Sequence, residues 1–209
     1  MEEKPRGIPI VISSPSGGGK TSIYDELAKR HPEFFYSVSA TTRPRRANEA
    51  DGVQYHFLTE SEFMRRREAG EFIETARVHG HWYGTPRGPL EGTLGEGRDV
   101  VLDVDVQGGD SIRGIYGREA LLIFIIPPDM ATLRERLVHR RSEEPALVER
   151  RMMNALDELR RAPDYDYIVV NDVLLRAVDE VEAVITAERL RSTRLCGILN
   201  KRFPELGEG

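Results

Sequence analysis

The stretch that most limits what this chain can fold into is Ile8-Pro-Ile-Val-Ile-Ser-Ser-Pro-Ser-Gly-Gly-Gly-Lys-Thr-Ser22. Its apolar run, Ile8 to Ile12, reads as a buried strand. A loop of Ser, Pro and Gly follows, and residues 21–30 read as a helix. Strand, Gly-rich loop and a Lys-Thr pair at the helix start make a phosphate-binding loop. The chemistry asks for these residue types. Gly17, Gly18 and Gly19 let the backbone turn its N–H groups toward an anion. The helix beginning near Lys20 adds free N–H groups and the positive end of its dipole. Lys20 can reach phosphate oxygens, and the Thr21 hydroxyl can ligate Mg²⁺. Ser14, Pro15, Ser16, Gly17, Gly18, Gly19, Lys20, Thr21 and Ser22 are therefore the expected triphosphate binders. The usual pattern, G-x-x-x-x-G-K-[ST], departs at one place, because Ser14 stands where its first glycine falls.

A chain of 209 residues can build one sizeable core with small insertions. Its net charge of −5 argues against a general nucleic-acid-binding surface. The one cysteine, Cys196, excludes an intramolecular disulfide and reads as an inert thiol near the end of the last helix. No apolar run approaches the roughly 20 residues that cross a bilayer. The start of the chain lacks the apolar core of a signal peptide. These features lead us to expect a soluble cytoplasmic protein with no membrane partner.

Four apolar runs predict buried strands of a parallel sheet: 8–13, 99–106, 120–126 and 165–170. Each is β-branched and nearly continuous, as strands covered on both faces are. A fifth short strand is expected around 36–39. Helical stretches lie between, so the class is α/β. Residues 40–85 differ. The alternating runs 53–58 and 72–78 read as antiparallel strands of a small inserted subdomain. Between them Thr59 and Glu62 form a capping box that opens a helix over 60–69, ended by Gly70. Asp129 is a plausible N-cap for a helix whose inner face carries Leu133 and Leu137, with Arg136 and Arg140 on a neighbouring face. After a break at 142–145 a second helix packs through Val148, Met152, Ala155 and Leu159. A final helix is expected over 175–194, with a disordered tail after Pro204.

Three arginines lie within Arg43-Pro-Arg45-Arg46, and Tyr55 follows in the next predicted strand. Arginine forks fit phosphate bidentately, so the segment looks like a second anion site, although a solvated basic loop would read the same. Asp105 is placed at the C-terminal end of a buried strand, where open α/β sheets hold ligands. Asp103 on the same strand has a competing role, ordering water on Mg²⁺.

Eight segments, taken in order, resemble guanylate kinases over nearly the whole chain, from Ile8 to about Arg194. They are Ser14-Pro-Ser-Gly-Gly-Gly-Lys-Thr, Ser37-Val-Ser-Ala-Thr-Thr-Arg-Pro-Arg-Arg, Gly52-Val-Gln-Tyr-His-Phe, Glu71-Phe-Ile-Glu, Trp82-Tyr-Gly-Thr, Leu102-Asp-Val-Asp-Val-Gln-Gly, Leu133-Arg-Glu-Arg-Leu and Ile168-Val-Val-Asn-Asp. The resemblance implies a parallel-sheet P-loop kinase core, an inserted GMP-binding subdomain of mixed or antiparallel strands, and a helical lid. Expressed as ranges, these are 8–37, 89–128 and 162–209 for the core, 38–88 for the subdomain and 129–161 for the lid. It implies GMP-phosphate contacts at Arg43, Arg46, Tyr55 and Tyr83, with Ser39 lining the site, and guanine contacts at Glu74, Thr85 and Asp105. It implies lid arginines at Arg136, Arg140 and Arg151, and Asn171 near the adenine of ATP. Arg45 stands where the family often has proline and is given no role. The implied reaction transfers the γ-phosphoryl of Mg-ATP to GMP, with dGMP as a second acceptor. The bond-making would rest on Lys20, Arg43, Arg136, Arg140 and Arg151, with Mg²⁺ held by Thr21 directly and by Asp103 through water. Two other readings remain. A scaffold module would use the GMP site to hold phosphorylated peptides, and would not need Lys20, Thr21 and the lid arginines. A kinase acting on a phosphosugar would not need Glu74, Thr85 and Asp105.

Overall fold

The computed structural model describes residues 5–47, 49–78, 80–139 and 145–206. Strand β1 (Pro9–Ser13) leads through the Gly-rich loop into helix α1 (Lys20–Arg30), and β2 (Phe35–Tyr36) follows. The inserted region contains β3 (Ala40–Thr41), β4 (His56–Phe57), α2 (Glu60–Glu68), β5 (Phe72–Val78) and β6 (His81–Pro86). The chain returns through α3 (Arg87–Gly95), β7 (Val100–Asp103), α4 (Val106–Tyr116) and β8 (Leu121–Ile126). Two helices, α5 (Met130–His139) and α6 (Pro145–Leu159), precede β9 (Tyr167–Val170), α7 (Leu174–Arg189) and α8 (Ser192–Arg202).

The main sheet is five-stranded and wholly parallel, in the order β2-β7-β1-β8-β9. The side chains of β1 alternate between its faces, as strand geometry requires. Ile10 and Ile12 pack with Ile23 and Leu27 of α1 and with Val178, Val181 and Ile185 of α7. Val11 points the other way, into Leu90, Leu94 and Ile112 of α3 and α4. Each fully buried aliphatic side chain contributes roughly 1.5–3 kcal/mol. With β7 on one side of β1 and β8 on the other, the chain switches direction at the C-terminal end of β1. That is where an open α/β sheet leaves a crevice.

The second sheet has the order β4-β3-β6-β5. It is mixed, since β3 pairs in parallel with β4 while β6 runs antiparallel to both β3 and β5. Its own small core is Ala40, Phe63 and Phe72, backed by Leu58, Met64 and Trp82. The two helices α5 and α6 form another cluster through Leu133, Leu137, Val148, Met152 and Ala155.

Several expectations change. The strand expected over 53–58 shrinks to His56–Phe57 and pairs in parallel. Its first half is spent on a turn, where Gly52 adopts φ 75° and donates its N–H to the Tyr55 carbonyl. The antiparallel partner of β5 is instead β6, which sequence reading took only as the end of the insertion. The strand expected to run to 106 stops at Asp103, because Asp105 turns the chain by capping α4. The edge strand expected around 36–39 is Phe35–Tyr36. The long last helix breaks at Leu190–Arg191, where Arg191 is extended. Buried Glu188 pairs with Arg191 and Arg194 across this break. Cys196 is exposed on α8, with its thiol donating to the Ser192 carbonyl. Pro204–Leu206 forms a single 3-10 turn where disorder was expected, and the last three residues lie outside the described residues. The Thr59 cap forms, but only half of the capping box. Its hydroxyl accepts from Glu62 N at 3.2 Å, while the Glu62 side chain turns to Arg65 and Arg66. Asp129 caps α5, accepting from Thr132 N at 2.7 Å. Among the described residues no helix is long and apolar enough to cross a membrane.

Candidate active site

The Gly-rich loop is closed by backbone. Gly18 N donates to the Pro15 carbonyl at 2.8 Å. The Ser14 hydroxyl donates to the same carbonyl at 3.1 Å, so the departure from glycine at this position adds a bond inside the loop. Gly17 and Gly19 take φ 86° and 95°, in the left-handed region. A Cβ on Gly19 would fall 2.0 Å from Asn171 Nδ2. Helix α1 starts at Lys20 with no side-chain cap, which leaves its first N–H groups for an anion. Thr21 and Ser22 are exposed in that first turn.

Lys20 is half-buried. Its ammonium donates to the Val104 carbonyl at 3.0 Å and pairs with Asp103. Ser13 Oγ donates to Val104 O at 2.9 Å, tying the end of β1 to the segment leaving β7. Loop and neighbouring strand end therefore form one block of polar contacts. On the far side, Asn171 Nδ2 donates to the Gly18 carbonyl at 3.0 Å. Arg136 of α5 reaches the same carbonyl at 3.4 Å and Asn171 O at 2.9 Å. A cavity of about 580 Å³ opens there, lined by Gly17, Gly19, Ser22, Thr132, Arg136 and Asn171 among others.

A second cavity, of about 200 Å³, lies between the two sheets. Lys20, Asp103, Val104 and Asp105 line one wall, and Ser39, Tyr55, Glu74, Ala76, Val78 and Tyr83 line the other. Glu74 and Thr85 face each other across the β5–β6 pairing. Both are buried, and the Thr85 hydroxyl donates to Glu74 Oε1 at 2.6 Å. Burial pushes the Glu74 carboxyl up to about 7; the Thr85 bond opposes this, and nearby Asp105 adds to it. The hydroxyl proton of Thr85 is thus spent on Glu74, which leaves Thr85 to hold Glu74 in place. Asp105 also has structural work. Its Oδ1 accepts from Gly108 N at 2.9 Å as the cap of α4, and it lies past the strand end rather than on it.

Arg43 and Arg46 do not line the cavity. Arg43 stands behind Tyr55, its guanidinium 5.5 Å from that ring, and the Tyr55 and Tyr83 rings meet edge to face at 5.8 Å. Glu49 grips Arg43 bidentately, at 2.7 and 3.1 Å, and accepts from Arg46 N at 2.8 Å. The Arg46 side chain is 54% exposed, which leaves it available to an incoming group. Arg45 is exposed. Arg151 is half-buried on α6, and Arg140 lies outside the described residues. Sequence reasoning missed Glu49 and Glu158. Glu49 follows Arg46 by three residues, a signal that was present but unremarkable. Glu158 Oε2 accepts from Ser16 N at 3.1 Å across 142 residues of sequence, with no local signal at all.

The comparisons with known proteins bear on this arrangement. The guanylate kinase family model matches residues 6–188. The chain belongs to the guanylate kinase family. It is 49% identical to the guanylate kinase of Thermotoga maritima, over 90% of this chain and 91% of that protein. It is 46% identical to the guanylate kinase of Symbiobacterium thermophilum, over 99% of this chain and 98% of that one. The solved structure of guanylate kinase from Anaplasma phagocytophilum superposes with a TM-score of 0.81 at 32% identity, covering 96% of this chain and 97% of that one. Family membership accounts for the P-loop kinase fold, with its parallel core, mixed small sheet and helix pair.

The family implies Mg-ATP, and the donor set fits the ion. Mg²⁺ takes oxygen ligands, usually few from protein and several from phosphate and water. Thr21 offers an exposed hydroxyl beside Lys20, and Asp103 a carboxylate on the same wall. Among the described residues no group of three or more His, Cys, Asp or Glu side chains gathers as a self-sufficient metal cage. A metal that arrives with a nucleotide needs none.

Proposed function

We infer that the chain transfers the γ-phosphoryl of Mg-ATP to GMP, giving ADP and GDP. The observation that carries this is buried Glu74, held by Thr85, which lines a cavity whose opposite wall is Lys20 and Asp103. A buried carboxylate is costly unless something repays it. Guanine does so, because its N1–H and N2 amine are adjacent donors and a carboxylate is acceptor-only. With Oε1 taken by Thr85, Glu74 Oε2 remains to receive them, and Asp105 adds an acceptor from the core side. Ser39 lines the same site.

Tyr55 and Tyr83 present hydroxyls to the GMP phosphate. Arg43 charges that end of the site from behind Tyr55, and Arg46 adds an exposed fork. The donor binds on the loop Ser14–Ser22, with its adenine on the Asn171 side. Lys20 holds the β- and γ-phosphates, trading Asp103 for phosphate oxygens. Mg²⁺, held by Thr21 and through water by Asp103, would neutralise charge on the donor phosphates. Arg136 steadies the donor end through Gly18, and Arg140 and Arg151 bring positive charge with the lid. Phosphoryl transfer passes through a loose transition state, so positioning and charge neutralisation carry the catalysis. The attacking phosphate is already anionic, and no general base is required. Closure of the lid, residues 129–161, over the core and the subsite 38–88 excludes water from the transfer. This chemistry belongs in cytoplasmic purine nucleotide metabolism.

The test is ADP release from Mg-ATP with GMP, dGMP, AMP and a phosphosugar as acceptors. The expected result is turnover with GMP and with dGMP, and a kcat/KM at least about 10⁴-fold lower with AMP. Equal turnover with AMP, or turnover with the phosphosugar alone, would overturn the reading. Binding of GMP or a phosphopeptide without turnover would instead make the chain a scaffold module.

A further inference from the structure

The crest of the phosphate loop is met, residue by residue, by the lid. Ser16 N donates to Glu158 Oε2 of α6 at 3.1 Å. Gly17 lies under α5, and a Cβ there would come within 3.0 Å of Leu133 and 3.2 Å of Leu137. Gly18 O accepts from Arg136 of α5 at 3.4 Å. Three consecutive loop residues are thus held by three different kinds of lid contact: ionic acceptor, aliphatic and guanidinium.

The Glu158 contact is the least expected of these. Its carboxylate is half-buried at the root of the lid, where desolvation and, less, nearby Asp105 raise its pKa, opposed first by the Ser16 amide bond and then by Lys20. A carboxylate in such a place is normally repaid by an arginine fork or a lysine ammonium. Among the described residues its hydrogen-bond partner is the Ser16 backbone amide. The next residue, Leu159, packs against both the core cluster and the lid cluster. This end of α6 is therefore tied to the core as well as to the rest of the lid. The loop it touches has three successive glycines, which lose more conformational entropy on ordering than any other residue.

We propose that Glu158 is a positioning residue for the phosphoryl donor: it anchors the Ser16 amide to the root of the lid and so holds the phosphate loop in its nucleotide-accepting shape. The proposal rests on the reading of the loop as the ATP site. Glu158 touches no substrate and acts through the loop. Its effect falls on the donor, while Glu74, Ala76, Val78 and Tyr83 build the far wall of the acceptor cavity on β5 and β6. The hydrogen bond, not the charge, carries the role, because a backbone amide needs only an acceptor.

Glu158→Ala, Glu158→Gln and the parent protein separate these statements. Three readouts are needed: KM for ATP and for GMP, ATP affinity by calorimetry without acceptor, and exchange protection of the Ser16 amide by NMR. In Glu158→Ala the KM and Kd for ATP should rise by up to about tenfold, in keeping with loss of one hydrogen bond. The KM for GMP should stay within about twofold, against that same tenfold scale, and Ser16 should exchange faster. Glu158→Gln keeps an acceptor oxygen and should recover most of the lost ATP affinity and Ser16 protection. Unchanged ATP affinity in the alanine variant would overturn the proposal. So would equal weakening toward both nucleotides with a lowered Tm, since that is what a merely structural lid brace would give. A glutamine variant as impaired as alanine while Ser16 stays protected would show that charge, not the bond, matters, and would overturn it too. If the parent protein shows no ATP-dependent phosphorylation of GMP, the functional reading fails separately. The Ser16 exchange comparison still decides whether Glu158 holds the loop.

Discussion

The two cavities that we assign to the nucleotides would solve recognition in opposite ways. The cavity between the sheets is small, and side chains on paired strands build it, with buried Glu74 on its wall held by buried Thr85. The cavity beside the phosphate loop is about 580 Å³, and Gly17 and Gly19 of the loop and the uncapped start of α1 form one side of it. Every nucleoside triphosphate carries the same phosphates, so backbone N–H groups suffice where only phosphate is bound. Bases differ in where donors and acceptors lie, so telling them apart takes side chains fixed in a dry wall. The lesson is that selectivity resides where polar groups are costly to bury, and catalytic charge where they are not.

The largest expected effect breaks the loop side. Lys20→Ala should lower kcat by about 10³-fold while circular dichroism stays that of the parent, since Lys20 serves bound phosphate rather than the core. Activity within a few-fold of the parent would mean that the loop is not the donor site.

Glu74→Gln breaks the base-reading side. Its kcat/KM for GMP should fall by about 10²-fold, and the GMP-to-AMP ratio should shrink, because the amide replaces an acceptor by a donor. An unchanged ratio would move base reading away from Glu74. The same variant should be more stable at alkaline pH. A carboxyl raised in the fold from 4.5 to about 7 binds its proton more tightly there than in the unfolded chain. Its stabilising contribution is fully present below pH 4.5 and is lost as pH rises through 7. Replacing it with an amide therefore removes a penalty on the order of 3 kcal/mol at pH 8 and almost none at pH 4. Melting curves of both proteins across this range check the sign. In the parent protein KM for GMP should rise several-fold from pH 8 to pH 6 as Glu74 takes up its proton.

Glu49 sharpens the comparison within the small subdomain. In Glu49→Ala the Arg43 guanidinium loses its bidentate partner, and KM for GMP should rise about five- to tenfold with kcat less affected. A fall in KM would instead show that Glu49 competes with the GMP phosphate for Arg43.

The smallest effect is a control in the same subdomain. Thr59→Ala removes the cap of α2 and should cost about 1 kcal/mol of stability, read as a Tm lower by a few degrees. Turnover and the GMP-to-AMP ratio should stay those of the parent. If the ratio moved, base selectivity would depend on general subdomain stability and not on Glu74.

Much of this was legible in the chain because it is local. The loop Ser14–Thr21, the apolar strands β1, β7 and β8, and the Thr59 and Asp129 caps depend on residues within a few positions of one another. Steric freedom at glycine, side-chain alternation and capping act at that range. The small subdomain was read less well. Its pattern of alternating residues predicted two antiparallel strands, but Gly52 spent half of the first on a turn. The partner that pairs with β5 was taken only as a closing segment.

The sequence by itself determined the phosphate loop, the α/β alternation and the types of residue that could read a phosphate or a guanine. Only the tertiary structure decided how those groups are used. It spends the Thr85 proton on Glu74 and makes Asp105 a helix cap as well as a cavity wall. It stands Arg43 behind Tyr55 in the grip of Glu49, and ties Ser16 to Glu158 across 142 residues. The physical reason is that a donor or acceptor is assigned by what faces it. Across a sheet pairing or a lid contact, what faces it is set by topology and packing, which no short window of sequence contains.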